Sequence, residues 1–168
     1  MNSAKVAILL AAWAGTALLA FTGLAQVPVR LAYNATESAA VGFYIVEPMD
    51  QPHVGDKVLS RLPRSVAALA DQRHYIPATT PVLKTVAAGP GAVVCRTGAL
   101  VSVDAQPAAW ARPSDRAGRQ LPVWSGCRRL DLGDAFLLGR HPDSFDGRYF
   151  GPTPAALIIG KARPLWTW

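Results

Sequence analysis

The sequence predicts a mainly β protein that follows one N-terminal apolar helix. Residues 6–25 carry no charged side chain, and a run of that length can cross a bilayer core as a helix. The chain holds 14 glycines and 14 prolines and few runs of helical periodicity, which favours strands and turns after that segment. Short aromatic and β-branched runs lie between turn residues, as in residues 42–46.

Composition and charge limit the classes of partner. Of the 168 residues, 51% are hydrophobic, which allows one domain with a real core plus a short appendage. The net charge is +6, but the basic residues are scattered and no aromatic residues interleave with them, so we expect no nucleic-acid partner. A basic surface also suits anionic lipid, and Trp166 and Trp168 either anchor at a membrane interface or pack on the core.

The segment of residues 1–26 is predicted to direct the chain out of the cytoplasm. Lys5 precedes the apolar run, and a positive flank stays on the cytoplasmic side. Gly23-Leu24-Ala25 places small residues where a signal cleavage site before Gln26 needs them. A retained anchor and a cleaved signal both fit this pattern. Either one places the predicted folded domain, residues 27–168, on the periplasmic or extracellular side.

The first candidate catalytic group is a hydroxyl in the turn that precedes a strand. Asn34, Thr36 and Ser38 form a turn-prone stretch that leads into the strand-like residues 42–46. Backbone geometry would hold a hydroxyl there and leave it open to solvent. In isolation, the same pattern is typical of a turn without chemistry.

Lys84 is the second candidate. The chain has thirteen arginines and four lysines, and among the lysines Lys84 alone lies inside an apolar, β-prone run, within residues 81–91. Burial disfavours the ammonium form and lowers the pKa of a lysine, so that its amine can act as a general base. Arginine does not lose its proton in this way. A lysine on the solvent face of a half-buried strand is the alternative.

The third candidate stretch is dense in turn residues and contains Ser144, Asp146 and Arg148. Asp146 and Arg148 are two positions apart and are expected to form an ion pair that braces the loop, as a structural clasp rather than as chemistry. His141 is interpreted as a surface loop residue, with a base partner for Ser38 as its alternative.

Cys95 and Cys127 are the two cysteines of the chain. In an exported protein an even pair suggests a disulfide, and two buried free thiols are the alternative. Their spacing fits no zinc signature, and we expect no metal or other cofactor.

Local patterns predict several smaller elements. The alanine-rich residues 65–72 indicate a short helix, and residues 92–95 and 100–103 indicate a hairpin. Residues 105–120 are polar and rich in proline and glycine, which predicts a surface loop. Residues 155–160 predict a final apolar strand.

Several short motifs follow one another along the chain from about Tyr33 to Gly160. They are Asn34-x-Thr36-x-Ser38 with Gly42-Phe43-Tyr44, Gly55-Asp56-Lys57-Val58, Leu83-Lys84-Thr85-Val86, Gly126-Cys127-Arg128, and Ser144-Phe145-Asp146-Gly147-Arg148-Tyr149-Phe150-Gly151-Pro152. In this order they resemble the signal peptidase I superfamily of Ser–Lys proteases, and within it the conjugal-transfer peptidases called TraF. The last motif is the most specific.

The resemblance implies signal-peptidase-like antiparallel β-sheets and a serine endopeptidase. Ser38 would be the nucleophile and Lys84 its base, with Ser38 Oγ and Lys84 Nζ within roughly 2.6–3.2 Å, or further apart without substrate. The Thr36 hydroxyl and the Ser38 backbone N–H would stabilise the oxyanion. Asp146 would complete the catalytic set.

The resemblance also implies supporting and substrate-binding roles. Structural support would come from the residues at four further positions, which are Arg148, Ser144, Cys95 and Cys127. The substrate would bind as an added extended strand with small residues beside the cleavage point, and Gly42, Phe43 and Tyr44 would contact it.

A conjugative pilin precursor is the substrate that the resemblance implies, with the enzyme associated with the inner membrane and its catalytic domain in the periplasm. Some relatives join the new pilin ends into a ring, and the residues do not decide between hydrolysis and cyclisation. The alternatives are a general type I signal peptidase, a non-catalytic membrane-anchored assembly factor of a secretion channel, and a periplasmic binding module.

Three residues depart from the pattern of the better-known leader peptidases. Ala39 and Ala40 replace the methionine and proline expected after the serine, which affects the shape of the substrate pocket. Gly147 stands where a serine is common, so a hydroxyl at that position cannot orient the lysine. The chain also lacks the large inserted domain and second membrane segment of many leader peptidases, which favours a dedicated processing enzyme.

Overall fold

Antiparallel strands make up most of the chain beyond its N-terminal segment, as the sequence predicts. The structure is a computed structural model that describes residues 3–24 and 30–168. Its strands are β1 (Leu31–Asn34), β2 (Gly42–Glu47), β3 (Lys57–Ser60), β4 (Val82–Ala88), β5 (Val93–Thr97), β6 (Leu100–Val103), β7 (Gln106–Trp110), β8 (Gly126–Arg129), β9 (Asp134–Leu138), β10 (Thr153–Pro154) and β11 (Ile158–Thr167).

Helices are few in the described part of the chain. They are α1 (Ser3–Leu24), α2 (Arg64–Gln72), α3 (Gly147–Phe150) and a 3₁₀ helix (Ala155–Leu157). The second of these confirms the short helix predicted at residues 65–72. Among the described residues, no helix combines the length and the apolarity needed to cross a membrane. The predicted cleavage position after Ala25 and the domain boundary at residue 26 lie outside the described residues.

A seven-stranded sheet carries the candidate catalytic residues. Its strands lie in the order β1-β2-β11-β3-β4-β9-β10, and each neighbouring pair is antiparallel. In this register Lys84 on β4 lies opposite Val58 on β3. β1 is at one end of the sheet and pairs with β2 alone among the described strands. The lysine therefore lies in the interior of the sheet, whereas β1 lies at its edge.

A four-stranded sheet of order β7-β6-β5-β8 packs beside the first. Strands β5 and β6 confirm the predicted hairpin. Residues 106–110 were predicted as part of a loop, but they form β7 and pair with β6. Pro107 and two alanines give this segment weak local β preference, so the strand depends on its pairing and not on its own sequence.

A disulfide joins Cys95 to Cys127, which confirms the expected bridge. The two cysteines lie directly opposite each other on the neighbouring strands β5 and β8. The bond thereby fixes the outer strand β8 to the rest of the small sheet.

The last strand is longer than the sequence predicts. Residues 155–157 form a 3₁₀ helix, and β11 then runs from Ile158 to Thr167 between β2 and β3. Charged and proline residues in its second half hide it from a sequence pattern, because two flanking strands supply its hydrogen bonds. Trp166 and Trp168, at its end, have 72% and 68% of their surface exposed and are not core residues.

Two apolar clusters position the site. Tyr44 and Leu83 belong to a cluster that lies under the turn between β1 and β2. Val94 from the small sheet and Phe136 from the large sheet belong to a second cluster, which joins the two sheets. Strand β4, which carries Lys84, and the loops that follow β1 and β9 are thus held by these two packed clusters.

Candidate active site

Asn34 shapes the loop that carries the candidate nucleophile. Its side-chain amide donates to the backbone carbonyls of Thr36 at 2.7 Å, Ala39 at 3.2 Å and Ala40 at 3.0 Å. Its Oδ1 accepts a hydrogen bond from the Thr36 hydroxyl at 3.2 Å. One side chain therefore satisfies several polar groups of the turn between β1 and β2, which gives the turn-prone pattern a structural reason.

Ser38 presents its hydroxyl beside the start of β4. Ser38 Oγ lies 3.0 Å from Thr36 Oγ1, and either hydroxyl is able to donate. It lies 3.5 Å from the carbonyl oxygen of Leu83, the residue before Lys84. The Ser38 carbonyl accepts from the backbone N–H of Arg140 at 2.9 Å. These contacts tie the loop that carries Ser38 both to β4 and to the segment after β9.

Lys84 is buried, with 5% of its surface exposed, which excludes the solvent-facing alternative. Its Nζ donates to Ser144 Oγ at 2.5 Å. Burial lowers the pKa of Lys84 from 10.5 to about 8, and Arg148 adds to this effect while Asp146 opposes it. Part of the amine is therefore neutral near pH 7, as a general base requires.

Ser38 and Lys84 do not form the direct contact that the resemblance implies. Both residues lie in the described part of the chain, and no hydrogen bond joins Ser38 Oγ to Lys84 Nζ. The serine is bonded to Thr36 and the lysine to Ser144 instead. Catalytic hydrogen bonds are often long or misaligned in enzymes without substrate, so this arrangement is compatible with a resting site.

An ion pair between Asp146 and Arg148 braces the loop that holds Ser144, as the predicted clasp. Arg148 Nε lies 3.1 Å from Asp146 Oδ1, and both side chains are buried. Asp146 Oδ2 accepts from the Gly139 N–H at 2.6 Å, and the Arg148 guanidinium donates to the carbonyls of Gly139 at 2.6 Å and Pro142 at 2.7 Å. Burial raises the pKa of Asp146, while Arg148 and Lys84 act against that rise.

Close packing at two glycines determines which residue supplies the hydroxyl that bonds to Lys84. A Cβ atom at Gly139 would lie 2.0 Å from Ser144 Oγ, so that residue must be glycine for the serine to reach Lys84. A Cβ atom at Gly147 would lie 2.8 Å from Phe136 Cε2. Phe136 therefore occupies the space that a side chain at position 147 would need. The hydroxyl that contacts Lys84 comes from Ser144 instead. Sequence patterns gave no sign of the requirement at Gly139.

A cleft of about 1360 Å³ contains the site. Ser38, Lys84 and Ser144 line it. Of the three residues expected to bind substrate, Tyr44 lines the cleft, and its hydroxyl donates to the Ala40 carbonyl at 2.7 Å. Gly42 lies elsewhere, packed against the backbone of β11, and Phe43 lies on the outer face of β2. Side chains alternate along a strand, so the three residues cannot share one face.

His141 does not act on Ser38 in this structure. Its Nε2 lies 3.2 Å from Glu37 Oε2, and its Nδ1 accepts from the backbone N–H of Asp143 at 3.1 Å. The imidazole therefore links the loop before Ser38 to the loop before Ser144. The interpretation as a loop histidine is favoured over that of a base.

A sequence profile described as signal peptidase, peptidase S26, matches residues 2–168. The chain belongs to this family. A probable conjugal transfer protein TraF of Sinorhizobium fredii (strain NBRC 101917 / NGR234) is 34% identical over 145 residues, 80% of this chain and 76% of the relative. The conjugal transfer protein TraF of Agrobacterium tumefaciens (strain 15955) is 33% identical over 145 residues, 80% of this chain and 81% of the relative.

The signal peptidase I of Enterococcus faecalis V583 is a solved structure that is also similar. It aligns with a TM-score of 0.40 and 18% identity over 67% of this chain and 97% of its own length. The resemblance stated from the motifs is confirmed by the family profile and by the two TraF relatives. Membership of the peptidase S26 family implies serine protease activity.

Arg96 supports this peptidase S26 site from the small sheet, and the sequence did not indicate it. It is buried, and its NH1 donates to the carbonyl of Arg148 at 2.6 Å and to that of Pro122 at 3.2 Å. Burial lowers its pKa. An arginine in a short strand carries no local signal of burial, so its role emerges only from its hydrogen bonds to Arg148 and Pro122.

Proposed function

We propose that this chain is a Ser–Lys endopeptidase that processes the precursor of a conjugative pilin. The observation that carries the proposal is Lys84, a buried lysine with a pKa lowered to about 8 whose Nζ is fixed by Ser144 in the cleft that Ser38 lines. The names of the two relatives, conjugal transfer proteins, support a role in conjugal transfer.

The reaction begins at Ser38. Its side chain rotates from Thr36 towards Lys84, and Oγ attacks the scissile carbonyl while the neutral amine of Lys84 takes the proton. The peptide C–N bond then breaks, and the ammonium of Lys84 returns the proton to the leaving amine. Water attacks the acyl-enzyme to give a linear product, or the N-terminal amine of the same polypeptide attacks it to give a cyclic one. The bond to Ser38 Oγ then breaks, and Lys84 passes the proton of the attacking group to Ser38 Oγ.

Oxyanion stabilisation falls to the Ser38 backbone N–H and the Thr36 hydroxyl. Thr36 Oγ1 lies 3.0 Å from Ser38 Oγ and donates its single proton to Asn34 Oδ1 at 3.2 Å. When Ser38 turns to Lys84 and the oxyanion forms, the Thr36 O–H turns from Asn34 Oδ1 towards the developing charge. The movement of Ser38 thereby activates the nucleophile and opens the position beside Thr36 Oγ1.

The buried lysine argues against a non-catalytic assembly factor. An ammonium deprived of water destabilises the fold, and an apolar residue would pack there without that cost. A protein that only binds has no use for this arrangement. A general signal peptidase would use the same groups, so the substrate is the test that separates it from a dedicated pilin peptidase.

We further propose that the domain lies in the periplasm against the inner membrane. The Cys95–Cys127 disulfide suits an oxidising compartment. The outer face of β1, β2 and β11, which we call the aromatic face, exposes large apolar side chains, and β1 follows the N-terminal segment in the sequence. The members of the aromatic face are Leu31, Tyr33, Phe43, Ile45, Trp166 and Trp168.

Co-expression with a candidate pilin precursor tests the function. Intact-mass analysis of the product should show a shortened pilin with the active chain and the full precursor with Ser38→Ala or Lys84→Arg. A ring would be lighter than the linear product by one water. Processing that persists in the Ser38→Ala strain, with no other peptidase present, would remove Ser38 as the nucleophile.

A further inference from the structure

Arginine side chains line part of the cleft beyond the catalytic groups. They belong to the end of α2 and to the segment between β7 and β8, and two aspartates accompany them. We call this set the arginine wall, and its members are Arg73, Arg112, Arg116, Arg119, Asp115 and Asp143. Four guanidinium groups and two carboxylates leave the wall with a net positive charge.

Asp115 is committed to the wall's own structure. Its Oδ1 accepts from the backbone N–H groups of Ala117 and Arg119, each at 2.9 Å. Its Oδ2 accepts from the Tyr75 hydroxyl at 2.5 Å and from Arg119 Nε at 2.8 Å. The Tyr75 hydroxyl, followed by the Arg119 contacts, holds the pKa of Asp115 well below its usual range. This carboxylate neutralises Arg119 and closes the turn. It does not compensate the charge of the other three arginines.

Asp143 is shared by two arginines. Arg112 Nε lies 2.7 Å from its Oδ1, and Arg116 NH2 lies 3.1 Å from its Oδ2. The two arginine side chains are 58% and 84% exposed, so their remaining N–H groups are open to the cleft. One carboxylate between two guanidinium groups leaves a surplus charge and unused donors.

Arg73 adds a second surplus charge. Its NH1 donates to the Gln120 carbonyl at 2.9 Å and to the Tyr75 hydroxyl at 3.4 Å. Within residues 3–24 and 30–168, no carboxylate forms an ion pair with it. Guanidinium forks of this kind match the geometry of a carboxylate.

The arginine wall includes a residue that is adjacent in sequence to the candidate catalytic groups. Asp143 directly precedes Ser144, whose hydroxyl accepts from Lys84. Glu37, the acidic residue next to Ser38, lies 3.2 Å from His141 Nε2 and forms no ion pair with an arginine of the wall among the described residues. A polypeptide bound along the cleft would therefore pass guanidinium groups that carry surplus charge and unused donors.

We propose that the arginine wall is a subsite for a carboxylate carried by the substrate polypeptide. The carboxylate is either an acidic side chain or the C-terminal carboxylate of the bound polypeptide. The inference rests on the proposed function in one respect, because it takes the cleft as the substrate site.

Peptide binding tests the subsite without any need for turnover. The full-length Ser38→Ala protein is titrated with fluorescent peptides that share a small-x-small core. A single glutamate is moved through the positions on both sides of that core, and each peptide has a glutamine counterpart. A parallel pair ends in a free carboxylate or in an amide, which separates the two sources.

Binding should be about tenfold tighter for glutamate than for glutamine at one position, or for acid than for amide at the terminus. This preference should weaken with added salt and fall severalfold when Arg73→Gln or Arg116→Gln is added. Arg128→Gln is the matched control, since Arg128 forms a surface ion pair with Asp134 at 2.8 Å outside the cleft. It should leave the preference unchanged.

Equal binding of every glutamate and glutamine pair, and of acid and amide, would overturn the inference. So would a preference that survives both arginine substitutions.

Failure of the protease proposal gives a different result. If the unmodified protein cleaves acidic and neutral peptides equally well, the protease stands and the subsite falls. If it cleaves none while Ser38→Ala prefers the acidic peptide, the subsite stands and the protease falls.

Discussion

Burial of Lys84 lowers the free energy of unfolding near neutral pH, and its proposed role as a base explains why a lysine is buried there. Its pKa is about 8 in the fold and 10.5 in the unfolded chain, so between these pH values the unfolded state binds more protons. The free energy of unfolding should therefore rise as the pH rises from about 8 to 10.5. Lys84→Met should be inactive yet more stable near neutral pH by about 2–3 kcal/mol. Urea unfolding near neutral pH and near pH 10 measures both effects. A methionine variant that is less stable at both pH values would contradict this account.

The same pKa sets the pH dependence of catalysis. The base must be neutral, so the rate of peptide cleavage should rise through about pH 8 and then level off. Lys84→Arg should be as inactive as Ser38→Ala, because arginine keeps its proton. Lys84→His, with a lower pKa, could keep a trace of activity at neutral pH. Initial rates across a pH series give the profile, and a rate that falls as the pH rises towards 8 would exclude Lys84 as the base.

Ser144 and Gly139 should act together on Lys84. Ser144→Ala removes the partner of Nζ, and Gly139→Ala displaces that partner, because its Cβ would meet Ser144 Oγ. Each should lower kcat by about tenfold to a hundredfold with little change in KM. Gly133→Ala is the control, since no atom lies within 4 Å of its added Cβ. An unchanged kcat and an unchanged kinetic pKa in Ser144→Ala would show that the hydroxyl does not position the amine.

At the scale of elements, β5 links the disulfide to the site. Cys95 bonds to β8, and the next residue, Arg96, donates to the carbonyl of Arg148 in α3. Because the bridge closes a loop between positions 32 apart, the Cys95→Ser/Cys127→Ser double variant should lose about 2–4 kcal/mol of unfolding free energy. Chemical unfolding with and without reductant measures this loss. Reductant should destabilise the parent protein and leave the double variant unchanged, and the opposite pattern would contradict a stabilising bridge.

The elements also show what the sequence could predict. Strong local patterns gave α2, the hairpin of β5 and β6, and the burial of Lys84 in an apolar run. β7 and the second half of β11 lack such patterns and form because neighbouring strands pair with them. The motifs indicated Ser38, Lys84 and the Asp146–Arg148 pair. The Ser144 bond to Lys84, the constraint at Gly139 and the burial of Arg96 depend on contacts between distant segments, which a linear pattern does not encode.

For the whole molecule, the aromatic face should govern attachment to membranes. Tyr33 lies against Phe43 and Trp168, with ring centroids 5.0 Å and 6.5 Å apart, and the three rings form a continuous apolar surface. Aromatic residues favour the interface between lipid and water. A Tyr33→Ser/Trp166→Ser/Trp168→Ser variant should bind vesicles of anionic and neutral lipid at least severalfold more weakly than the parent. Trp110→Ser, an exposed tryptophan on β7, is the control. Sedimentation with vesicles measures binding, and equal loss in the control would exclude a specific face.

Among the described strands β1 lies at the edge of the large sheet, which has a consequence for the protein when no substrate is present. An edge strand with unpaired N–H and C=O groups accepts any compatible strand, including that of another copy. In this chain the edge is short, four residues, and is followed directly by the Asn34 turn, which limits how far foreign pairing can extend. A peptide that occupies the cleft would also cap that edge. Ligand-free protein at high concentration should therefore form at most small, reversible assemblies through this edge, and a peptide bound in the cleft should dissociate them.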